Sequence, residues 1–215
     1  MKHPVCIAID GPVAAGKSVV GRLVAERLGY RFLDTGLMYR AVTRLALQES
    51  VDPEDGIGLG RLAEGMSLDW DSATGGGVRA EDLHTADVDA CVSRVSQHAT
   101  VRRILVARQR DWAAGGKAVV VGRDIGTVVL PEAPLKIYLV ASSAERARRR
   151  WLERRGADAA VDPTAMQADI EARDAFDSSR ELGPLRRAAD AVTVETDGLS
   201  AEAVAERILA LASDP

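Results

Sequence analysis

An α/β fold, a parallel sheet covered by helices on both faces, is what this 215-residue sequence predicts. Three observations carry that expectation. Short apolar runs alternate with stretches of helical periodicity through most of the chain. Those runs are apolar at successive positions, as strands buried on both faces are. The first run also leads directly into a glycine-rich turn and then a helix, the order of a strand-turn-helix unit.

Residues 5–9 read as the first buried strand. Apolar residues recur at helical spacing over Lys17–Leu28, and Gly29 stops that helix. A brief segment, 30–33, leads through Asp34-Thr35-Gly36 into a second helix that runs to about Gln48. Residues 51–90, with Asp52, Pro53, Asp55 and the run Gly75-Gly76-Gly77, read as a loop-rich insertion with short strands. Helix returns over 92–112 and ends at Gly115-Gly116. Ala118–Val121, closed by Gly122, and Leu135–Val140 are further buried strands. An arginine-rich helix then reaches Arg155, 163–175 is helical, 191–195 is a last strand, and Ser200 caps a final helix to Ala212. The expected layout is one domain over 1–215. Its core covers about 1–50, 92–145 and 185–215, with an insertion over about 51–91 and a lid over about 146–184.

With 47% apolar residues a substantial core can form, and the net charge of −4 gives no overall basic field for nucleic acid polymers. Cys6 and Cys91 have neither metal-ligand spacing nor a disulfide pattern. Cys6 reads as a small core residue, and Cys91 falls on a helix. The apolar run before Asp10-Gly11 is too short for a signal peptide, and no segment approaches membrane-spanning length. A cytoplasmic protein is expected.

Gly11-Pro12-Val13-Ala14-Ala15-Gly16-Lys17-Ser18 matches G-x-x-x-x-G-K-[ST] between a strand and a helix, where its physics requires it. The glycines let backbone wrap an anion, and the helix N-terminus adds its positive end. Lys17 supplies a mobile charge for the β- and γ-phosphates, and the Ser18 hydroxyl can ligate Mg²⁺. The core is therefore of the P-loop NTP hydrolase-like kind. Nucleotide binding follows from the motif; the choice between kinase, GTPase and ATPase does not.

A kinase needs a second anion site facing the first. Met38-Tyr39-Arg40 opens the second helix, and Gly122-Arg123-Asp124-Ile125-Gly126-Thr127 follows a buried strand at its C-terminal end, the usual ligand rim. Arg123 and Asp124 are adjacent in a turn, so they are not expected to pair with each other. Asp177 and Arg180, three apart, would share a helix face; a solvated ion-paired face is the competing reading. Arg146, Arg150 and Arg154 form a stripe at four-residue spacing, with Arg148, Arg149 and Arg155 beside it. Only Glu145 and Glu153 lie near, which leaves most of the stripe's charge unneutralised, as in a lid closing over phosphates. An RNA-binding face is the alternative, disfavoured by the acidic balance and by 4% aromatic content.

Together these residues resemble the bacterial cytidylate kinase family over nearly the whole chain. The carriers are Asp10-Gly11-Pro12 with the phosphate loop, Leu33-Asp34-Thr35-Gly36 with Met38-Tyr39-Arg40, and Gly122-Arg123-Asp124-Ile125-Gly126-Thr127-Val128-Val129. Ala133-Pro134-Leu135-Lys136-Ile137, Asp177-Ser178-Ser179-Arg180, and Ser93-Arg94-Val95 with Val101-Arg102 also match. The resemblance implies Mg²⁺- and ATP-dependent phosphorylation of CMP and dCMP by a monomer, with an inserted acceptor-binding subdomain and a helical lid. It assigns the donor to Gly11, Pro12, Val13, Ala14, Ala15, Gly16, Lys17, Ser18 and Val19. The cytosine ring falls to Ser93, Arg102 and Asp124, whose carboxylate can accept from the exocyclic amine that uracil lacks. Arg40, Arg123 and Arg180 would hold the monophosphate, Arg173 and Asp177 the sugar, while Thr35 and Tyr39 line the pocket. Lys17, Arg123 and Arg180 would be catalytic, and Arg146, Arg149, Arg150 and Arg154 would serve the lid. Three departures from the family stand out: Val19 after Ser18, Ala175-Phe176 in place of charged residues, and a shorter insertion around 82–87. A uridylate, thymidylate or shikimate-type kinase, or a nucleotide-binding regulatory module, remains open on residues alone. No guanine-reading N-K-x-D segment is present.

Overall fold

Successive strand residues point to opposite faces of a sheet, and the apolar runs use both. The protein is described here by a computed structural model covering residues 5–66, 83–154 and 163–213. Strands β1 (Cys6–Asp10), β2 (Arg31–Asp34), β3 (Ala118–Val121), β4 (Leu135–Val140) and β5 (Val192–Glu195) form a five-stranded sheet in the order β2-β3-β1-β4-β5. Every neighbouring pair is parallel. Ala8, Ala118 and Val120 face one side, against helices α2 (Thr35–Gln48), α3 (Gly56–Gly65), α4 (Ala86–Val95) and α5 (Ala99–Ala113). Ile7, Ile9, Val119 and Val121 face the other, against α1 (Lys17–Leu28) and α8 (Ala201–Ser213). The expected architecture is thus present.

The helix expected over 92–112 is two helices, α4 and α5, separated at Ser96, Gln97 and His98. The insertion holds α3 and most of α4, where short strands had been expected; no strand occurs among the described residues of 51–90, and 67–82, including the glycine run, lie outside them. Asp55 explains α3, because its carboxylate caps Ile57 and Gly58. Arg108 of α5 secures the far end by donating to the carbonyls of Ala63, Glu64 and Met66. α4 begins with Thr85 as its cap, so the expected boundary at residue 91 falls inside a helix. Beyond β4 come α6 (Ser143–Arg154) and α7 (Pro163–Ser179), joined by Ala147, Met166 and Ile170 in a small cluster that also packs against Val13 and Ala14. Arg155 lies outside the described residues.

The exits of two neighbouring strands are locked together by one buried carboxylate. Asp10, the last residue of β1, accepts from the backbone N–H groups of Ile125 and Gly126, both at 2.7 Å. Those amides open a π-helical turn, Ile125–Val129, that follows β3. Burial pushes the Asp10 carboxyl up to about 6, against the lowering pull of the two N–H groups. We expect Asp10→Ala to leave two buried donors unsatisfied and to cost about 2 kcal/mol of stability, read as a lower denaturation midpoint at unchanged slope. An unmoved midpoint would contradict the anchoring role.

Candidate active site

The phosphate loop, Asp34-Thr35-Gly36 and Gly122-Arg123-Asp124 all leave the carboxyl end of the sheet. The phosphate loop leaves β1 at Gly11, whose φ of 150° and whose contact with the Leu139 carbonyl leave no room for a Cβ. Ala14 sits at φ 58°, a left-handed conformation usually left to glycine, and its methyl packs against the α6–α7 cluster. Lys17 opens α1, and its ammonium donates to the Pro12 carbonyl at 2.6 Å across the loop. Ser18 donates to Asp34, which also caps α2 by accepting from Gly36. Val19 is largely exposed.

A single cleft of about 500 Å³ opens over the carboxyl ends of β1, β2 and β3. Its walls include Lys17 and Ser18 on the donor side, with Tyr39, Arg40, Arg102, Arg123, Asp124, Arg150, Arg173 and Arg180 opposite. Lys17 and Ser18 therefore share one space with Arg40, Arg102, Arg123, Asp124, Arg173 and Arg180, whereas Gly11, Pro12, Ala15, Ser93 and Asp177 do not line it. Arg123 and Asp124 turn away from each other, as expected. Arg123 pairs with Asp177, and Asp124 with Arg102. Asp177 also pairs with Arg180, and its side chain is 0% exposed, so this is a buried cluster and not a solvated face. Each Asp177 oxygen lies against a guanidinium nitrogen, one of Arg123 and the other of Arg180.

The Tyr39 ring lies beneath Arg102, and burial pushes its hydroxyl up to about 12. Gly183, at φ 61°, presses so closely on Arg102 and Asp124 that a Cβ there would strike both side chains. Burial raises the Asp124 carboxyl above its ordinary range, while Arg102 pulls it back.

Several expected side chains are spent elsewhere. The Thr35 hydroxyl donates to the Val121 carbonyl at 2.9 Å, so it fixes α2 to β3 although the residue lines the cleft. Ser93 lines a neighbouring cavity; its hydroxyl is buried without a hydrogen-bond partner, and its carbonyl accepts from Arg180. The unneutralised stripe is corrected outright. Arg146 pairs with Asp174, Arg148 and Arg149 with Glu145, and Arg150 with Asp89 and Glu153. Local sequence held too few carboxylates, and distant helices supply them. Arg146 also donates to the Val13 carbonyl, and Arg149 to Thr196, which ties α6 to the phosphate loop and to the end of β5. The side chain of Arg154 lies outside what the structure describes.

Sequence reasoning assigned no role to Asp34, Asp89, Asp174, His84 or Gly183. His84 lines the cleft, and burial, followed by Arg40 and Arg150, lowers its basicity. Only Asp34 had a local signal, the Asp-Thr-Gly that opens α2.

The model of the cytidylate kinase family matches residues 7–214. A cytidylate kinase from Geobacillus sp. (strain WCH70) is 42% identical over 100% of this chain and 99% of its own length. The chain belongs to the cytidylate kinase family. A bifunctional pantoate ligase/cytidylate kinase from Prochlorococcus marinus (strain MIT 9303) is 43% identical, and there the match spans 98% of this chain but 45% of that protein. Among solved structures, shikimate kinase from Acinetobacter baumannii superposes with a TM-score of 0.52 at 18% identity, covering 98% of this chain and 93% of that one. That likeness concerns the fold alone.

The cleft's basic groups feel one another strongly. Burial and then Arg123 bring Lys17 down to about 7, and the same two causes bring Arg173 down to about 9. A polyanion would relieve that repulsion and restore the ammonium. The sign follows by linkage: a folded value below the ordinary 10.5 means the empty protein gains stability as pH rises from about 7. Binding of a nucleoside triphosphate is expected to take up on the order of one proton at pH 8. Titration calorimetry in buffers of different ionisation enthalpy reads this directly. The uptake should vanish in Lys17→Met, and equal uptake in both proteins would contradict the assignment.

Proposed function

We propose that this chain transfers the γ-phosphoryl group of ATP to CMP and dCMP, giving ADP with CDP or dCDP. One observation carries the reading: Lys17 and the guanidiniums of Arg40, Arg123, Arg173 and Arg180 line a single cleft. The family's name, and the names of its members, agree with that arrangement.

In this reading the loop from Gly11 to Val19 wraps the donor, with Lys17 against its terminal phosphates. Ser18 and Asp34, two hard oxygen donors in contact at the cleft wall, suit Mg²⁺, which takes few protein ligands and keeps phosphate oxygens and water. When bound, the ion supplies charge neutralisation on the phosphates. Arg40, Arg123 and Arg180 grip the acceptor phosphate, and Lys17, Arg123 and Arg180 stabilise charge spread over the transferring group. Asp177, held between Arg123 and Arg180, receives the sugar hydroxyls beside Arg173. Asp124, Arg102 and Ser93 read the base edge over Tyr39. The acceptor phosphate is already an anion near neutral pH, so no general base is required.

Residues 51–91 serve as the acceptor-binding insertion and 146–184 as the lid, with the remainder as core. Arg146 holds the lid to the phosphate loop and Arg149 holds it to the end of β5, and Arg150 faces the reacting phosphates when it closes and excludes water. The chain acts as a cytoplasmic monomer on small nucleotides, without a nucleic acid polymer or a membrane; no described helix is long and apolar enough to cross one.

A coupled ADP-release assay over a panel of acceptors tests the proposal. Turnover should depend on CMP or dCMP and fall by about a thousandfold in folded Lys17→Ala. In Asp124→Ala the loss for CMP should exceed that for UMP by about tenfold, the worth of a charged hydrogen bond. Turnover with shikimate or thymidylate, or nucleotide binding without any acceptor-dependent turnover, would reject it.

A further inference from the structure

Asp89 carries chemistry that no sequence motif announced. It sits on α4, in the insertion, and its carboxylate gathers arginines from three other elements. Arg40 of α2 donates to one oxygen at 2.6 Å, and Arg150 of α6 donates to the other at 2.7 Å. Arg173 of α7 approaches within 4.0 Å. All three arginines line the main cleft, whereas Asp89 lines the neighbouring cavity and so holds them from behind.

This differs from an exposed ion pair, whose two solvated partners gain little. The Asp89 and Arg40 side chains are 12% and 11% exposed. Arg40 also donates to the Leu83 carbonyl at 2.8 Å. A guanidinium has five N–H donors; among the described residues two are committed, to Leu83 and Asp89, which leaves others for a ligand. The head is thereby fixed before any phosphate arrives, and little order has to be imposed on binding. The same carboxylate offsets repulsion among cations that crowd one wall. It also joins the insertion to α6.

We propose that Asp89 is a positioning residue for the acceptor's phosphate, acting through Arg40 and Arg150. The role rests on the CMP kinase reading and extends it to a residue that touches neither nucleotide.

Steady-state kinetics of the full chain with CMP varied at saturating ATP, beside inhibition by cytidine, test the role. Cytidine carries the base and sugar but no phosphate. Asp89→Asn should raise the KM for CMP about tenfold, the usual scale for losing a residue that orients a ligand-binding group, with the cytidine inhibition constant unchanged. Asp89→Glu, which keeps the charge, should recover part of the loss. Arg150→Gln cuts the same link from the other side, and the combined variant should lose no more than the worse single one.

An unchanged KM would overturn the proposal. So would a lower one, which would mean that the carboxylate competes with the phosphate, and so would equal weakening of cytidine or losses that multiply. Should Asp89→Asn fail to fold, Asp89→Glu decides alone: a CMP KM raised severalfold with cytidine unaffected supports the role, and no change removes it. A wild-type chain without CMP turnover would remove the underlying kinase reading, whereas an active wild type with unaltered variants removes only the Asp89 role.

Discussion

The contact of one carboxylate with two amides sets the distance across which the reaction is proposed to run. Asp10 ends the strand that launches the phosphate loop, and Ile125 and Gly126 begin the turn that follows Arg123 and Asp124. Since β1 and β3 are direct neighbours in register, Ile9 against Val121, their two exit loops start side by side. A buried acceptor oxygen on one and buried N–H donors on the other then leave little freedom between them. Burying the carboxylate is costly, as its raised pKa records, and the two amides offset that cost. Donor loop and acceptor loop inherit a fixed relation from the sheet.

Electrostatics supplies the second constraint. A pocket shaped for two phosphorylated ligands must hold many cations close together, and without ligand they repel. Burial and then that repulsion lower the basicities of Lys17 and Arg173, and burial lowers that of Arg180. Carboxylates moderate it: buried Asp177 between Arg123 and Arg180, and partly buried Asp89 between Arg40 and Arg150 and Asp174 on Arg146. Each counter-ion comes from a helix of the insertion or of the α6–α7 pair. The same helices that would enclose the substrates therefore also keep the empty cleft intact. Ala14, held in a left-handed conformation, and Val13 bring the phosphate loop into this arrangement through apolar contact with α6 and α7.

Much of this was legible in the residues because it is local. The phosphate loop, the apolar strands and the stops at Gly29 and Gly122 are encoded within a few positions of one another. Asp177 and Arg180 are legible for the same reason, since three-residue spacing on a helix brings side chains together. What escaped was long-range. Nothing in the stretch around Arg146 or Arg150 points to Asp174 or Asp89, so the stripe read as unpaired when it is paired. Gly183 resembles an ordinary turn glycine until Arg102 and Asp124 are seen against it. The insertion misled for another reason: its glycines outweighed the Asp55 and Thr85 caps that start α3 and α4. The break at Ser96–His98 carries no proline or glycine to announce it.

A donor cradle and an arginine-lined acceptor pocket facing each other across one sheet is the claim on which the account stands. Adenosine and cytidine joined through five bridging phosphates would span both sites at once, and its dissociation constant is the most direct measure. The account predicts affinity at least about a hundredfold tighter than ATP or CMP alone, because the second contact is made intramolecularly. That gain should be lost in both Lys17→Ala and Arg123→Ala. Affinity no better than that of ATP, with Arg123→Ala indifferent, would contradict it.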